Sequence, residues 1–240
     1  MAESGKISSL GRILLYFFFF LCGLNLWAEY QVYQQLVYLT KPLLVSMLAL
    51  FFYMESKSHP GRFRNFILGG LVFSVFGDTF LMFVEQGSGS AQFFLLGLGS
   101  FLIAHLFYLS AFLSYPGRKK GYCSRRPQVF LPFVLFLLSY NLYLWPVIPE
   151  NLRIPVVLYS LAIVSMCMSC VNLYGKLKND IFIGLFFGVL FFLFSDTIIG
   201  LNKFRPGSVS LVNPRVLIMS TYLLAQFLIS YFALKAIKLV

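Results

Sequence analysis

Charge is the first thing this sequence lacks. Of its 240 residues only 11% are charged, and only eight are Asp or Glu. A soluble domain of this size runs nearer a quarter charged and half apolar. Here 59% of the residues are apolar and 19% aromatic, so the soluble classes are excluded. Histidine is scarce too, with two residues, and there are four cysteines. That supply offers no Cys/His cluster at metal-ligand spacing, so no metal and no cofactor is expected. Cys167 and Cys170 form a C-x-x-C inside an apolar run, without a second pair, and read as packing residues; Cys22 lies in another apolar run and Cys123 in a basic loop. There is no Asn-x-Ser/Thr sequon with a non-proline middle residue and no retention signal at Leu234–Val240. A bacterial inner membrane is the preferred location, or the endoplasmic reticulum if the source is eukaryotic.

What the sequence has is a succession of uncharged apolar runs, each near the roughly twenty residues that cross a bilayer. Pro60-Gly61, the Gly/Ser stretch at 87–90, Pro116-Gly117, Pro146 with Pro149, and Pro206-Gly207 punctuate them. The predicted fold is an all-α polytopic membrane protein, a single integral domain over 1–240. Its eight spans are placed at 10–28, 36–54, 64–84, 92–114, 128–146, 154–174, 181–201 and 213–237. The first run follows Lys6 and Arg12 like a signal peptide but lacks a small-x-small cleavage site, so it is kept as a span. The net charge of +11 would suggest nucleic acid in a soluble chain; here the basic residues sit in short loops and set topology, and no nucleic acid is expected. With the N-terminus inside, fourteen of the nineteen basic residues fall on the inner side, Lys6, Lys57, Arg118 to Lys120 and Lys238 among them. Lys41, Arg153, Lys203, Arg205 and Arg215 are left outside, so both termini are predicted to be cytoplasmic.

The chain also repeats itself. Residues 70–79 read GLVFSVFGDT and residues 188–197 read GVLFFLFSDT, an offset of 118 that lays Gly70, Phe73, Phe76, Asp78 and Thr79 on Gly188, Phe191, Phe194, Asp196 and Thr197. Four spans per half would keep both halves in one orientation, a parallel repeat of 1–118 and 119–240. Gly184 and Gly188 make a small-xxx-small step that would admit a neighbouring backbone.

Few ionisable residues lie within the spans: Asp78, Asp196, His105 and, near an entry, Lys41. A charged side chain there costs at least ~2.5 kcal/mol on insertion scales and turns toward a bundle interior or wet cavity. Spans 3 and 7 both run outward, and each Asp comes about two thirds of the way along. Both carboxyls are expected in the outer half, facing one another across a lipid-accessible cavity. Two carboxyls in one poorly hydrated pocket do not readily both ionise, which supplies an acid beside a base. His105 with Tyr108, and Tyr222 with Gln226, share helix faces at similar depth. Seven residues beyond each Asp come Glu85 and Lys203, equivalent under the repeat and opposite in charge, able to hold an amine and a phosphate. A structural carboxylate pair and water-anchored helix ends are the plainer readings of these features.

The polar blocks TKPL at 40–43, FGDTFL at 76–81, AHLFY at 104–108, SDTIIGLNKF at 195–204 and MSTYLLAQ at 219–226 resemble, in that order, those of the YhhN-like lysoplasmalogenase family. The resemblance implies an eight-span enzyme that hydrolyses the vinyl ether bond of a lysoplasmalogen, releasing a fatty aldehyde and glycerophosphocholine or glycerophosphoethanolamine. Its substrate partner would be a lysophospholipid drawn from membrane lipid. The positions it implies are Asp78 and Asp196 for catalysis, with Lys41, His105, Tyr108, Asn202, Lys203, Tyr222 and Gln226 around the substrate. Vinyl ether hydrolysis independently asks for one proton-donating carboxylic acid and one carboxylate beside the resulting cation, the division of labour glycosidases use. Two rival readings stand beside it. A proton-coupled transporter of lipids or small solutes also suits buried carboxylates and a parallel repeat. An intramembrane aspartyl protease fits poorly, because its Gly-x-Gly-Asp motif meets Val75 and a serine, Ser195, precedes Asp196.

Overall fold

The computed structural model describes residues 7–85, 90–116, 121–208 and 213–239. Among them, eight helices are long and apolar enough to cross a membrane. They are α1 (Ser9–Tyr30), α2 (Gln34–Ser56), α3 (Arg62–Met82), α4 (Ser90–Ser114), α6 (Leu131–Leu144), α7 (Glu150–Val171), α8 (Asn179–Phe204) and α9 (Pro214–Ile237). A short α5 (Tyr122–Arg125) lies in the loop before α6, and 3₁₀ turns at Pro127–Phe130 and Trp145–Val147 extend α6 to spanning length. No strand occurs among the described residues. The predicted all-α, eight-span architecture is the one observed.

Span ends differ from expectation where local chemistry carries a helix on or cuts it short. α7 starts at Glu150, earlier than the predicted 154, because Pro149 takes the N-cap and an acid opens the first turn, where the helix dipole favours it. It stops at Val171 because the chain turns through Gly175, whose φ of +75° suits glycine. α8 runs on to Phe204, which places Asn202 and Lys203 on its last turn. Pro42 lies inside α2; the Ser46 hydroxyl donates to its carbonyl at 2.7 Å, side-chain bonding that membrane helices use around prolines.

Helices α3 and α4 pack against each other along their length, as do α8 and α9. The expected step at Gly184 and Gly188 is where α9 comes close: a Cβ on Gly188 would lie 3.1 Å from the Ile229 backbone nitrogen. Beyond these pairs, α4 meets α7 and α9 meets α2, contacts that exchange when the halves are swapped. At one end of the bundle Glu55 accepts from the backbone and hydroxyl of Ser8 and from Lys238 Nζ at 3.1 Å. The start of α1 and the ends of α2 and α9 therefore share that end. All four cysteines are free. Cys123, outside the spans, is buried with its backbone N–H on Asn172 Oδ1 at 3.2 Å, and burial pushes its thiol up, away from the reactive thiolate.

Candidate active site

Asp78 on α3 is buried and takes part in a chain of side-chain hydrogen bonds. Its Oδ2 accepts from the Tyr222 hydroxyl at 2.7 Å. That hydroxyl accepts from Gln226 Nε2 at 3.2 Å, and the same amide donates to Ser74 Oγ at 2.9 Å. Gln226 Oε1 accepts from the Tyr108 hydroxyl at 2.8 Å. The four-residue steps Ser74–Asp78 on α3 and Tyr222–Gln226 on α9 set two ladders face to face. Gly70, one turn before Ser74, makes room for the third wall: a Cβ there would lie 2.5 Å from the Tyr108 ring. Lys41, on α2, has its Nζ 4.0 Å from Glu29 Oε1 and is near enough for its charge to be felt at Asp78.

Asp196 on α8 has different company. The Tyr159 hydroxyl, from α7, donates to its Oδ2, and His105 Nε2 lies 3.4 Å from the same oxygen. His105 is fully buried, and neither ring nitrogen has a hydrogen-bond partner among the described residues. Asp196 lines an apolar cavity with Phe101, Phe136, Tyr159, Ile163 and Phe204. Asp78 is not among that cavity's walls. Phe192 stands between the two carboxylate clusters, its ring edge-on to His105 at 4.8 Å and to Tyr222 at 5.4 Å. The carboxylates nonetheless lie within reach of each other's charge.

Next to the apolar cavity lies a polar basin of about 460 Å³, within the size range of small-molecule sites. Glu29, Lys41, Asn202, Lys203 and Arg215 line it, and Leu81, Phe94 and Ile199 belong to the walls of both spaces. Lys203 Nζ sits 5.0 Å from the centre of the Phe94 ring. A charged basin thus lies against an apolar cavity with Asp196 on its wall.

The residues singled out from sequence thus fall into three neighbouring groups. Asp78, Tyr108, Tyr222 and Gln226 form one network; Asp196 and His105 meet in a second; Lys41, Asn202 and Lys203 line the basin. The Glu85 side chain lies outside the described residues. Sequence reasoning missed Tyr159, Ser74 and Glu29, and gave Arg215 no role beyond topology. One signal for Tyr159 was available: it follows Lys41 by 118 positions, the offset of the repeat. Among the described residues no group of three His, Cys, Asp or Glu side chains is placed to hold a metal ion.

Comparison with known proteins places these features in a family. The human protein named lysoplasmalogenase TMEM86A is 34% identical over 182 residues, 75% of this chain and 68% of that protein. Lysoplasmalogenase TMEM86B of Sus scrofa is 31% identical over 185 residues, 77% of this chain and 70% of its own length. The lysoplasmalogenase of Mycobacterium tuberculosis is 29% identical over 193 residues, 79% of this chain and 69% of that one. No solved structure matches. The YhhN family model matches residues 36–232, a stretch that takes in both carboxylates, Tyr159 and the lysine shared by the basin and Asp78, and the chain belongs to the YhhN family.

Proposed function

We propose that this integral membrane protein is a lysoplasmalogenase that cleaves the vinyl ether bond of 1-alkenyl lysophospholipids with choline or ethanolamine head groups. The observation that carries the reading is Asp196 on the wall of a narrow apolar cavity that adjoins a cationic basin. Such a site suits a lipid with one chain and one phosphate. The names of the similar proteins support the same substrate class.

In this reading the two carboxylates have unequal tasks. Asp196 opens on the cavity and has a phenol rather than a cation as its partner, so it is the proton donor. Its proton goes to the β-carbon of the vinyl ether, and the π electrons form the new C–H bond. The α-carbon and its oxygen are left as an oxocarbenium ion. In this assignment Asp78, which accepts the Tyr222 hydroxyl and feels the charge of Lys41, acts as the carboxylate whose field stabilises that cation across Phe192. Water then attacks the α-carbon and gives its proton to the Asp196 carboxylate, the acid-to-base change that retaining glycosidases make. The hemiacetal collapses to a fatty aldehyde and the glycerophospho-alcohol, and Asp196 is again protonated.

The test is incubation of purified protein in detergent with a lysoplasmalogen and, in parallel, an ester lysophospholipid. Aldehyde from the first alone is expected; a transporter breaks no ether bond and releases none. Asp78→Asn and Asp196→Asn should each remove nearly all turnover while the protein stays folded, about 10² or more whether the loss is of the proton-transferring Asp196 or of the charge of Asp78. Because the pair acts as a unit, the double variant should be little worse than either. Substantial hydrolysis by a folded single variant would end the mechanism.

A further inference from the structure

Among the described residues, three cations and a carboxylate line the basin. Glu29 is only 4% exposed and lies between two of the cations, with Lys41 Nζ 4.0 Å from Oε1 and Arg215 Nη1 3.7 Å from Oε2. Lys203 adds a third positive charge to the same walls, so among the described residues they carry more cations than carboxylates. Arg215 stands in the first turn of α9, where a cation opposes the helix dipole, so its place there does not serve helix stability. The Asn213 side chain caps that turn by accepting from the Arg215 N–H at 3.0 Å. The positive end of α9 thus adds to the field of the three side chains, an arrangement that favours an anion.

The basin is not built for a quaternary ammonium. Two aromatic rings line it among the described residues, and both are engaged: Phe94 lies beneath Lys203 at 5.0 Å, and Tyr38 stacks on Phe83 at 6.2 Å. With a lysophospholipid as the proposed substrate, we infer that Arg215 and Lys41, held apart by Glu29, clamp the phosphate of its head group. Glu29 is the positioning residue of this clamp. The glycerol then passes Leu81, Phe94 and Ile199, the walls shared with the cavity, and brings the ether toward Asp196. Recognition therefore rests on the phosphate, and choline and ethanolamine lipids are bound alike.

Calorimetric titration of the purified full-length protein in detergent tests this with three saturated ether lipids that turnover cannot consume. They are a 1-O-alkyl-glycerophosphocholine, its ethanolamine counterpart and a 1-O-alkylglycerol. The protein should bind both phospholipids at least tenfold more tightly than the alkylglycerol. Arg215→Gln should abolish that preference without changing alkylglycerol affinity, and Arg215→Lys should keep part of it. Equal affinity of the unaltered protein for all three lipids overturns the clamp, whatever the variants do; so does a preference that survives Arg215→Gln. Inorganic phosphate alone binding as tightly as the phospholipids makes this a free-anion site and overturns the head-group assignment. A phosphate preference without aldehyde release sinks the vinyl ether reading and leaves the clamp standing, whereas aldehyde release without the preference does the reverse.

Discussion

Tyr159 places its hydroxyl on the same oxygen of Asp196 that His105 approaches. Tyr159→Phe would keep the ring, which packs edge-on to His105 at 5.1 Å, and remove only the donor. Asp196 takes on charge only as it gives up its proton, and a hydrogen bond to a charged group contributes about 1.5–3 kcal/mol, so kcat should fall roughly ten- to a hundredfold with KM little changed. An unaltered kcat would show that Asp196 needs no phenol. At this scale the sequence is legible wherever a residue type is costly in a membrane. Asp78, Asp196 and His105 stand out because ionisable groups are rare in apolar runs. Tyr159 does not, being one of fourteen tyrosines in a chain that is 19% aromatic. Its position becomes informative only against Lys41, its counterpart under the repeat. Under the proposed repeat, one half of the chain sets a lysine whose charge acts on its Asp and the other a tyrosine bonded to its own, and we propose that this difference gives the two carboxylates their unequal tasks.

Helix length was readable for a different reason: bilayer thickness fixes it, and the loop residues mark where each span must end. Pairing was not readable. The spans are apolar on every side, so no face announces its partner, and close approach depends on where a small residue admits a large one. Gly70 is such a place. Its missing Cβ leaves room for Tyr108, which is fully buried and tied to Gln226, so the ring has no slack. Gly70→Ala should destabilise the protein by about 1–3 kcal/mol, the usual cost of overpacking, seen as a lower unfolding temperature in detergent. A Cβ on Gly23 of α1 would meet nothing within 4 Å, so Gly23→Ala should stay within about 0.5 kcal/mol of the parent. Equal effects at the two sites would mean that helix propensity, not the α3–α4 fit, sets the response.

For the whole molecule, the exchange-symmetric contacts support the proposal that 1–118 and 119–240 are parallel copies of one four-span unit. The Glu55 cluster, with Ser8 and Lys238, gathers one end of the bundle, while Glu29, Lys203 and Arg215 line the basin. Glu55 ends α2 and Glu29 precedes its start, so the two clusters lie at opposite ends of the helices. The loop count assigns fourteen of nineteen basic residues to the Glu55 side, the bias that marks a cytoplasmic face. We therefore propose that both termini are cytoplasmic and that the basin receives lipid from the outer leaflet. Single cysteines in a background without Cys22, Cys123, Cys167 and Cys170 can decide this. Ser208 follows α8 and Ser58 follows α2, and both are exposed. On sealed, right-side-out membranes an impermeant maleimide should label Ser208→Cys and leave Ser58→Cys unlabelled until the membrane is opened. The opposite pattern would turn the molecule over, put the basin on the cytoplasmic leaflet, and show that the loop charges do not set its topology.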